Sequence, residues 1–411
     1  MKILQINAVY GMGSTGRIVQ DIHTALQKSG NESYVMWGIS STDSNENLIR
    51  IGTTFNHKIH ALLRRIDNGQ GFHSNASTKR LCKKIEQLQP DIVHLHNLHS
   101  NYINIEILLK LLAEKKIPLL ITLHDCWFFT GGCTHYRTYD TCMQWKNGCN
   151  HCPMKKRSKR GQQKIRTLYQ RKKSLFENLD FLFFNGVSNW TTKAGEESML
   201  LQARASKTIY NWIDSNLYRQ REDIVDLKKK YEIKENEKII LGVSQGWGAR
   251  KGLDDFREIA KNFEGDAKVF LVGEAKGCTD EKNLYFLGTK NKEELIELYS
   301  IADVFVNPSR METFGLVTIE AMACGLPVVA YNNTGSAELV SKSCGELVED
   351  GNVTLMQSAI RKILAKDRSE YSKNCRVHVK NNFERKEQID KYLQFYKEII
   401  NYVRETGSVS L

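Results

Sequence analysis

Short apolar runs alternate with helical patterns along the first half of the chain. Residues 1–7 form an apolar run that reads as a buried strand, and a Gly-rich turn and an amphipathic helix over 17–28 follow it. Later runs repeat the strand pattern at 33–37, 92–95, 119–123, 181–187 and 207–210. This alternation predicts a parallel sheet with helices on both faces.

The same pattern starts again after residue 217. Strand-like runs lie at 238–244, 268–273, 284–287, 304–307, 328–331 and 345–348. We therefore predict two Rossmann-like, doubly wound α/β domains, 1–216 and 217–382, with a final helix in 383–411 that packs back across both. Two such domains would face a central cleft at the carboxyl ends of their strands, where these folds bind ligands.

The start of the chain does not have the pattern of a signal peptide, because Gln5 and Asn7 interrupt its short apolar stretch. No run approaches the roughly 18 apolar residues that a membrane helix needs. We therefore expect a cytoplasmic protein in which the ten cysteines are reduced thiols or metal ligands.

Positive charge is concentrated in the first half. Residues 1–216 carry 29 Lys and Arg against 16 Asp and Glu, whereas the rest of the chain carries 30 against 31. The densest part, 155–173, has ten basic residues and no acid. Two interpretations stay open: a solvated helix face, or contact with an anionic membrane or a phosphate-bearing acceptor. Nucleic acid is not expected, because no nucleic-acid motif accompanies the charge.

A Gly-rich segment follows the first strand and opens a helix. Gly11, Gly13 and Gly16 permit a tight turn, and Arg17 follows them. The start of the helix would suit a diphosphate or an anionic acceptor. The spacing is wrong for the dinucleotide fingerprint, so a plain turn is an equally good interpretation.

The most informative segment is 307–329, NPSRMETFGLVTIEAMACGLPVV. Glu312 follows a buried strand, and a tight Thr313-Phe314-Gly315 entry leads into a helix that carries Glu320. Main-chain N–H groups at that entry can bind a phosphate, and a carboxylate can accept hydrogen bonds from sugar hydroxyls. Two exposed glutamates at a helix start would explain the acids alone, but not the whole segment.

This E-x7-E segment, with its Phe-Gly and Ala-x-x-x-Gly-x-Pro-Val context, resembles family 4 of the retaining glycosyltransferases, which have the GT-B fold. The resemblance extends over nearly the whole chain and includes 211–214, Asn-Trp-Ile-Asp, near the domain junction. It implies that Lys251 grips the donor diphosphate. The family's arginine five residues earlier is replaced by Gly246, which leaves Arg250 as a substitute.

The resemblance also implies roles for other residues. Glu320 would bind the ribose hydroxyls, Glu312 the transferred sugar, and His124 would lie beside the reacting sugar, with His124, Glu312 and Lys251 as the catalytic set. Further donor-binding positions are implied at Gly13, Gly288, Thr313, Phe314, Gly315 and Leu316, and an acceptor side at Gly11, Gly16 and Arg17. No obligatory catalytic metal is implied, since Lys251 and loop amides can stabilise the departing diphosphate.

Five cysteines fall within 126–152. Cys149 and Cys152 form a C-x2-C knuckle, and Cys133 and Cys142 could complete four thiolate ligands. A structural zinc site and a reduced, partly buried loop remain equally open. The insertion resembles one in the colanic-acid and exopolysaccharide branch of the family. Its position after His124 would put 126–153 over the acceptor side.

The sequence thus predicts a transferase that uses a UDP- or GDP-linked sugar. The acceptor would be a glycan or a polyprenyl-diphosphate-linked oligosaccharide of bacterial surface polysaccharide synthesis, at the anionic inner face of the membrane. A nucleotide-sugar 2-epimerase of the same fold and a noncatalytic membrane adaptor are the alternatives.

Overall fold

The computed structural model describes residues 1–40, 45–67, 69–138, 142–153, 159–234 and 236–407. They divide into two units. Unit 1 contains Met1–Ile209 and the chain from Ile389 onward, and unit 2 contains Tyr210–Gln388. Within the described residues, none of the helices is both long enough and apolar enough to cross a membrane.

Unit 1 contains a sheet of seven parallel strands in the order β3-β2-β1-β4-β5-β6-β7. The strands are β1 (Lys2–Val9), β2 (Glu32–Ser40), β3 (Leu48–Arg50), β4 (Ile92–Leu95), β5 (Leu119–Leu123), β6 (Leu182–Gly186) and β7 (Ala205–Thr208). The central strands β4, β5 and β6 are buried along their whole length, as expected when helices cover both faces.

Six helices connect these strands. They are α1 (Gly13–Lys28), α2 (Thr54–Asp67), α3 (Asn75–Leu88), α4 (Ile105–Glu114), α5 (Lys159–Glu177) and α6 (Asn189–Glu196). Helix α1 buries Ile18, Ile22 and Leu26, which recur at helical spacing and face the sheet. Two 3-10 turns, Tyr136–Thr138 and Gln144–Asn147, lie in the cysteine-rich insertion.

Unit 2 repeats the arrangement with six parallel strands in the order β10-β9-β8-β11-β12-β13. These are β8 (Lys238–Gly246), β9 (Ala267–Glu274), β10 (Leu284–Phe286), β11 (Val304–Asn307), β12 (Val328–Tyr331) and β13 (Gly345–Val348). In both sheets the strand order reverses beside the first strand of the unit, and ligands of doubly wound folds bind at that point.

The helices of unit 2 cover both faces of its sheet. They are α7 (Ile224–Lys230), α8 (Leu253–Asn262), α9 (Lys292–Ile301), α10 (Leu316–Ala323), α11 (Thr334–Ala337), α12 (Val353–Leu364) and α13 (Ser369–Asn382). Helix α9 begins with a capping box between Asn291 and Glu294. The predicted fold class of two parallel, doubly wound α/β sheets is confirmed.

The last helix, α14 (Arg385–Gly407), begins in unit 2 and continues into unit 1. At its start, the Arg385 N–H donates to the Ile213 carbonyl at 3.0 Å, within unit 2. Farther along, Tyr392 and Tyr396 are completely buried in unit 1. The chain therefore enters unit 2 after Ile209 and leaves it after Gln388, whereas the sequence predicts domain boundaries at 216 and 382.

Candidate active site

Three loops leave the carboxyl ends of adjacent strands in unit 2. The loop after β8 runs through a 3-10 turn, Ala249–Lys251, to α8. The loop after β11 leads to α10, and the loop after β12 leads to α11. Since β8 and β11 are neighbours at the reversal of strand order, these loops border the crevice where such folds bind ligands.

Lys251 and Glu312 form an ion pair between the first two loops. The Lys251 ammonium donates to Glu312 Oε1, and the two side chains are only 18% and 13% exposed. Burial acts to raise the pKa of Glu312, but the charge and hydrogen bond of Lys251 outweigh it. The pKa of Glu312 therefore lies below its ordinary value, and its carboxylate is ionised at neutral pH.

Close packing of the two loops brings that pair together. Gly252 has a φ of +72°, and a Cβ there would lie 2.5 Å from the Pro308 carbonyl oxygen. The Arg310 N–H donates to the Arg250 carbonyl at 2.9 Å, and the Arg250 guanidinium donates to the Met311 carbonyl at 3.3 Å. Arg250 thus places its charge near Glu312, and its role as the substitute for the family's arginine stays a prediction.

Arg310 is a second guanidinium on the same loop, and sequence reasoning gave it no role. It donates to Asp255 Oδ1 at 2.9 Å and lies 4.8 Å from the ring centroid of Tyr331. The Tyr331 hydroxyl also donates to Asp255, at 3.0 Å. These contacts hold the Arg310 side chain in place, and Arg310 thereby supports the loop that carries Glu312.

Gly315 begins helix α10 with a φ of +104°, a conformation that side chains other than glycine rarely adopt. Gly315 has no side chain to cap the first turn, and the positive end of the helix lies beside Thr313 and Leu316. The Phe314 ring is 2% exposed and packs on Tyr210 and Phe383. Phe314 can therefore contact a ligand through its backbone only.

Glu320 lies in the next turns of α10 and is held by two tyrosines. Tyr218 donates to Glu320 Oε1 at 3.0 Å, and Tyr299 donates to Oε2 at 3.1 Å. Each carboxylate oxygen keeps further acceptor capacity for a ligand hydroxyl. Neither tyrosine was predicted, because each is an isolated aromatic residue in the sequence.

Gly288 follows β10 and has a φ of +67°. Its carbonyl accepts a hydrogen bond from the Gly273 N–H at 2.8 Å. The contacts of Gly288 therefore lie with the end of β9, and its predicted role in donor binding stays a prediction.

His124 belongs to unit 1, where it ends a chain of buried histidines. Its Nε2 lies 2.9 Å from Nδ1 of His96, and His96 Nε2 lies 3.2 Å from Gln5 Oε1. Burial lowers the pKa of His124 to about 4. His124 is therefore a neutral imidazole at pH 7 and can offer a hydrogen bond but not a positive charge. The sequence analysis gave no role to His94 and His96, although their spacing of two residues around the end of β4 could have indicated this cluster.

The Gly-rich loop of unit 1 leads from β1 into α1. Gly11 and Gly13 have φ values of +67° and +62°, and the Gly11 N–H donates to the Gly16 carbonyl at 3.0 Å. Gly16 is buried, and Arg17 on the same turn is exposed. The N-cap residue of α1, Met12, makes no side-chain hydrogen bond to the first turn, and the positive end of the helix can attract an anion.

Four cysteines of the insertion line one small cavity, namely Cys133, Cys142, Cys149 and Cys152. Burial raises the pKa of Cys149 to about 11 and that of Cys133 to about 12. Among the described residues, no group of three or more His, Cys, Asp or Glu side chains has an arrangement that could hold a metal ion. The zinc site therefore stays a prediction.

Most of the predicted basic segment lies within the described residues. Residues 155–158 lie outside the described residues, and 159–173 belong to α5. Lys172 does not belong to the solvated face of α5. Its side chain is 1% exposed, and its ammonium lies 4.3 Å from the ring centroid of Trp127. The densest basic segment thus contributes exposed charges on α5 and one buried lysine, Lys172, close to the cysteines.

Two family models divide the chain between them. Residues 15–216 match the model described as Glycosyltransferase Family 4, and residues 223–382 match the model described as Glycosyl transferases group 1. The two matches together take in most of both units and meet near the boundary between them.

Named relatives agree with these models. The chain is 35% identical over 160 residues to N-acetyl-alpha-D-glucosaminyl L-malate synthase of Bacillus anthracis, covering 36% of this chain but only 41% of that protein. It is 22% identical to WcaC of Escherichia coli K12, named as a colanic acid biosynthesis glycosyl transferase, covering 97% and 100%.

A solved structure, HepE of Anabaena in complex with UDP, superposes with a TM-score of 0.65 at 16% identity. The superposition covers 97% of this chain and 100% of HepE. The predicted family and fold are both confirmed. The chain belongs to the group 1 and family 4 glycosyltransferases and has their GT-B fold.

Proposed function

We propose that this protein is a retaining glycosyltransferase that moves a hexosyl group from a UDP- or GDP-linked donor. The observation that carries the proposal is the meeting of Lys251, Glu312 and the start of α10 at the strand reversal of unit 2. Two relatives support it, since HepE was crystallised with UDP and WcaC is named for colanic acid synthesis.

The donor diphosphate would lie between Lys251 and the positive end of α10. Cleavage of the sugar–phosphate bond leaves negative charge on the diphosphate, and fixed cations and N–H dipoles stabilise that charge without reorganising. Arg250 adds a third positive group beside the same loop. These groups can carry the reaction without an obligatory catalytic metal.

Glu312 would accept hydrogen bonds from the transferred sugar, and Glu320 from the ribose. The anomeric carbon exchanges its bond to phosphate for a bond to the acceptor hydroxyl on the same face. The proton of that hydroxyl passes to the departing phosphate oxygen. The Glu312 carboxylate supports this course, because its ion pair with Lys251 suits a fixed hydrogen-bond acceptor better than a free nucleophile.

His124 would hydrogen-bond the reacting sugar as a neutral imidazole, consistent with its lowered pKa. The acceptor side would include Gly11, Gly16 and Arg17, with a polyprenyl-diphosphate-linked oligosaccharide as acceptor. The start of α1, where the N-cap residue makes no side-chain hydrogen bond, suits the diphosphate of the acceptor. Such an acceptor would bring the protein to the inner face of the cytoplasmic membrane.

The four thiols of the insertion would hold a structural zinc ion on the acceptor side. Their common cavity and their chemistry support this, since four thiolates are a typical structural zinc set. Metal analysis of the purified protein should give about one equivalent of zinc, reduced by Cys149→Ser. A content well below one equivalent would remove the zinc proposal and leave the transferase proposal intact.

The transferase is tested by thermal shift with UDP, GDP, ADP and their sugars, followed by assays of nucleotide release. One nucleotide family should stabilise the protein by mass action. Glu320→Gln should weaken nucleotide binding about ten- to hundred-fold. Lys251→Met should lower kcat about a hundred-fold or more. Lys276→Met is the matched control, because Lys276 is 84% exposed elsewhere in unit 2.

The alternatives give different results. A 2-epimerase would interconvert UDP-sugars without an acceptor, and an adaptor would bind no donor. Transfer at the wild-type rate by Lys251→Met or Glu320→Gln would overturn the assignment of these residues.

A further inference from the structure

Helix α2 exposes a continuous apolar stripe. Five of the thirteen large apolar side chains exposed among the described residues belong to this one helix. They are Phe55 (70% exposed), Ile59 (42%), Leu62 (59%), Leu63 (39%) and Ile66 (65%). Their spacing places them on one side of a helix, and such a cluster is unusual where single exposed apolar residues are not.

The opposite side attaches α2 to unit 1. His60 is 1% exposed, and its Nδ1 lies 2.8 Å from Ser74 Oγ at the start of α3. His60 is the one described residue of α2 that is fully buried. The helix is therefore anchored along a narrow line, and its wide apolar face is turned outward.

Basic residues frame the stripe. Lys58, Arg64 and Arg65 lie on α2 itself, and the first acid of the helix is its last residue, Asp67. At the same end, Lys164 of α5 donates to the Ile66 carbonyl, which joins the basic helix α5 to the apolar stripe. Lys159, Arg160 and Arg166 of α5 are exposed as well.

We propose that α2 and the first half of α5 form a docking surface for an anionic lipid bilayer. The Phe, Ile and Leu side chains would enter the boundary between headgroups and acyl chains, and the basic groups would contact lipid phosphates. With 14 residues, α2 lies on the bilayer rather than across it. This proposal extends the proposed function and rests on it in one respect, namely that the acceptor is linked to a lipid.

Charge complementarity selects this occupant over a second copy of the chain. Unit 1 has a strong excess of basic residues, so its own surface would repel another copy, whereas phosphatidylglycerol would attract it. Each Lys or Arg near an anionic bilayer strengthens binding about five-fold, and salt screens that part of the attraction.

The test is flotation of the full chain with vesicles of phosphatidylcholine, with and without phosphatidylglycerol. Wild type should float with the anionic vesicles, less so at raised salt. The triple variant Phe55→Ser, Leu62→Ser, Ile66→Ser should lose binding at least ten-fold. Lys58→Glu with Arg65→Glu should lose most of the binding to anionic vesicles. Leu201→Ser is the matched control, because Leu201 is also 70% exposed in unit 1 and lies off α2.

Equal flotation of the triple variant and the Leu201→Ser control would overturn the proposal. So would a dimer of the wild type that the triple variant abolishes in the absence of vesicles. The nucleotide thermal shift is measured on the same variants and should be unchanged. Loss of flotation with the shift retained isolates the membrane surface, and absence of a shift in wild type would contradict the donor assignment alone.

Discussion

At the scale of single residues, the carboxylate of Glu320 is positioned by Tyr218 and Tyr299. A carboxylate already held in place loses less freedom when a ligand hydroxyl binds to it. We expect Tyr218→Phe or Tyr299→Phe to raise the KM for the donor about three- to ten-fold, since each removes about 1 kcal/mol of hydrogen bonding. The rate at saturating donor should change little.

The chain offers a matched control for this prediction. Tyr231 donates to Glu297 Oε2 at 2.9 Å, which is the same kind of contact elsewhere in unit 2. Tyr231→Phe should leave the KM for the donor unchanged. A similar rise in all three variants would mean that the tyrosines act on stability and not on Glu320.

Lys172 predicts a pH dependence of stability. Burial lowers the pKa of its ammonium from 10.5 to about 7, although Cys149 and Cys133 act in the opposite direction. Between those two pKa values the unfolded chain binds more protons than the folded one. The contribution of Lys172 to the free energy of unfolding should therefore rise with pH above 7, by up to about 1.4 kcal/mol per pH unit.

The measurement is denaturant unfolding of metal-free wild type and Lys172→Met between pH 7 and 8.5. The wild type should gain stability relative to the variant as pH rises. Lys173→Met is the control, since the neighbouring side chain is 50% exposed and its variant should run parallel to wild type. A constant difference between wild type and Lys172→Met would show that Lys172 stays charged when buried.

The sequence identified candidate residues of the site that belong to recognisable local patterns, but it did not identify the side chains that support them. Glu312 and Glu320 are eight positions apart in a recognisable pattern, and Lys251 follows the first strand of unit 2. Tyr218 lies 102 positions from Glu320, and no local pattern distinguishes it from other tyrosines. Contacts of that kind depend on the folded path of the chain.

At the scale of elements, the close packing of the β8 and β11 loops depends on Gly252. An Ala there must adopt a φ of +72° and place its Cβ 2.5 Å from the Pro308 carbonyl oxygen. Gly252→Ala should therefore separate the loops that carry Lys251 and Glu312. We expect a lower Tm and nucleotide binding weakened about ten-fold or more, because misplaced groups lose much of their effect.

Gly277→Ala separates the effect of backbone strain from the effect of the contact with Pro308. Gly277 has the same φ of +72°, but a Cβ there would meet nothing within 4 Å. This variant should lose about 1 kcal/mol of stability from the left-handed backbone alone and keep its nucleotide affinity. Equal nucleotide binding by the two variants would contradict the importance of the loop contact.

Most of the strands could be predicted because parallel sheets buried on both faces leave continuous apolar runs. Strand β3 was missed, since its three residues, Leu48–Arg50, are too short to give a pattern. Helix α1 begins at Gly13, before the predicted start at Arg17, because its first turn is formed by glycine and polar residues. The apolar stripe of α2 was also missed, since exposure cannot be read from spacing alone.

At the scale of the whole molecule, repetition of the αβ pattern predicted two parallel sheets, and helical spacing in 383–411 predicted a last helix that packs back across both domains. Neither pattern identified the residues that this helix contacts. Tyr396 lies 302 positions from His94, and their hydroxyl and Nδ1 are 2.7 Å apart. Tyr392 joins the same buried network, because Asn185 Nδ2 donates to its hydroxyl at 2.8 Å. Unit 1 is therefore completed by residues that follow unit 2 in the sequence.

Because unit 1 includes most of the last helix, the loss of contacts made by that helix should destabilise unit 1. Tyr396→Phe leaves the buried His94 Nδ1 without its partner and should cost about 1–3 kcal/mol of stability. Tyr402→Phe is the control, because this partly exposed side chain lies near the end of the same helix.

Truncation after Gln388 removes the whole segment, including the buried Phe395 and Ile399, and should make residues 1–209 sensitive to protease. Unit 2 should still bind nucleotide, since Lys251, Glu312 and Glu320 all lie within it. A truncated chain whose residues 1–209 resist protease as well as wild type would show that the last helix is dispensable for unit 1.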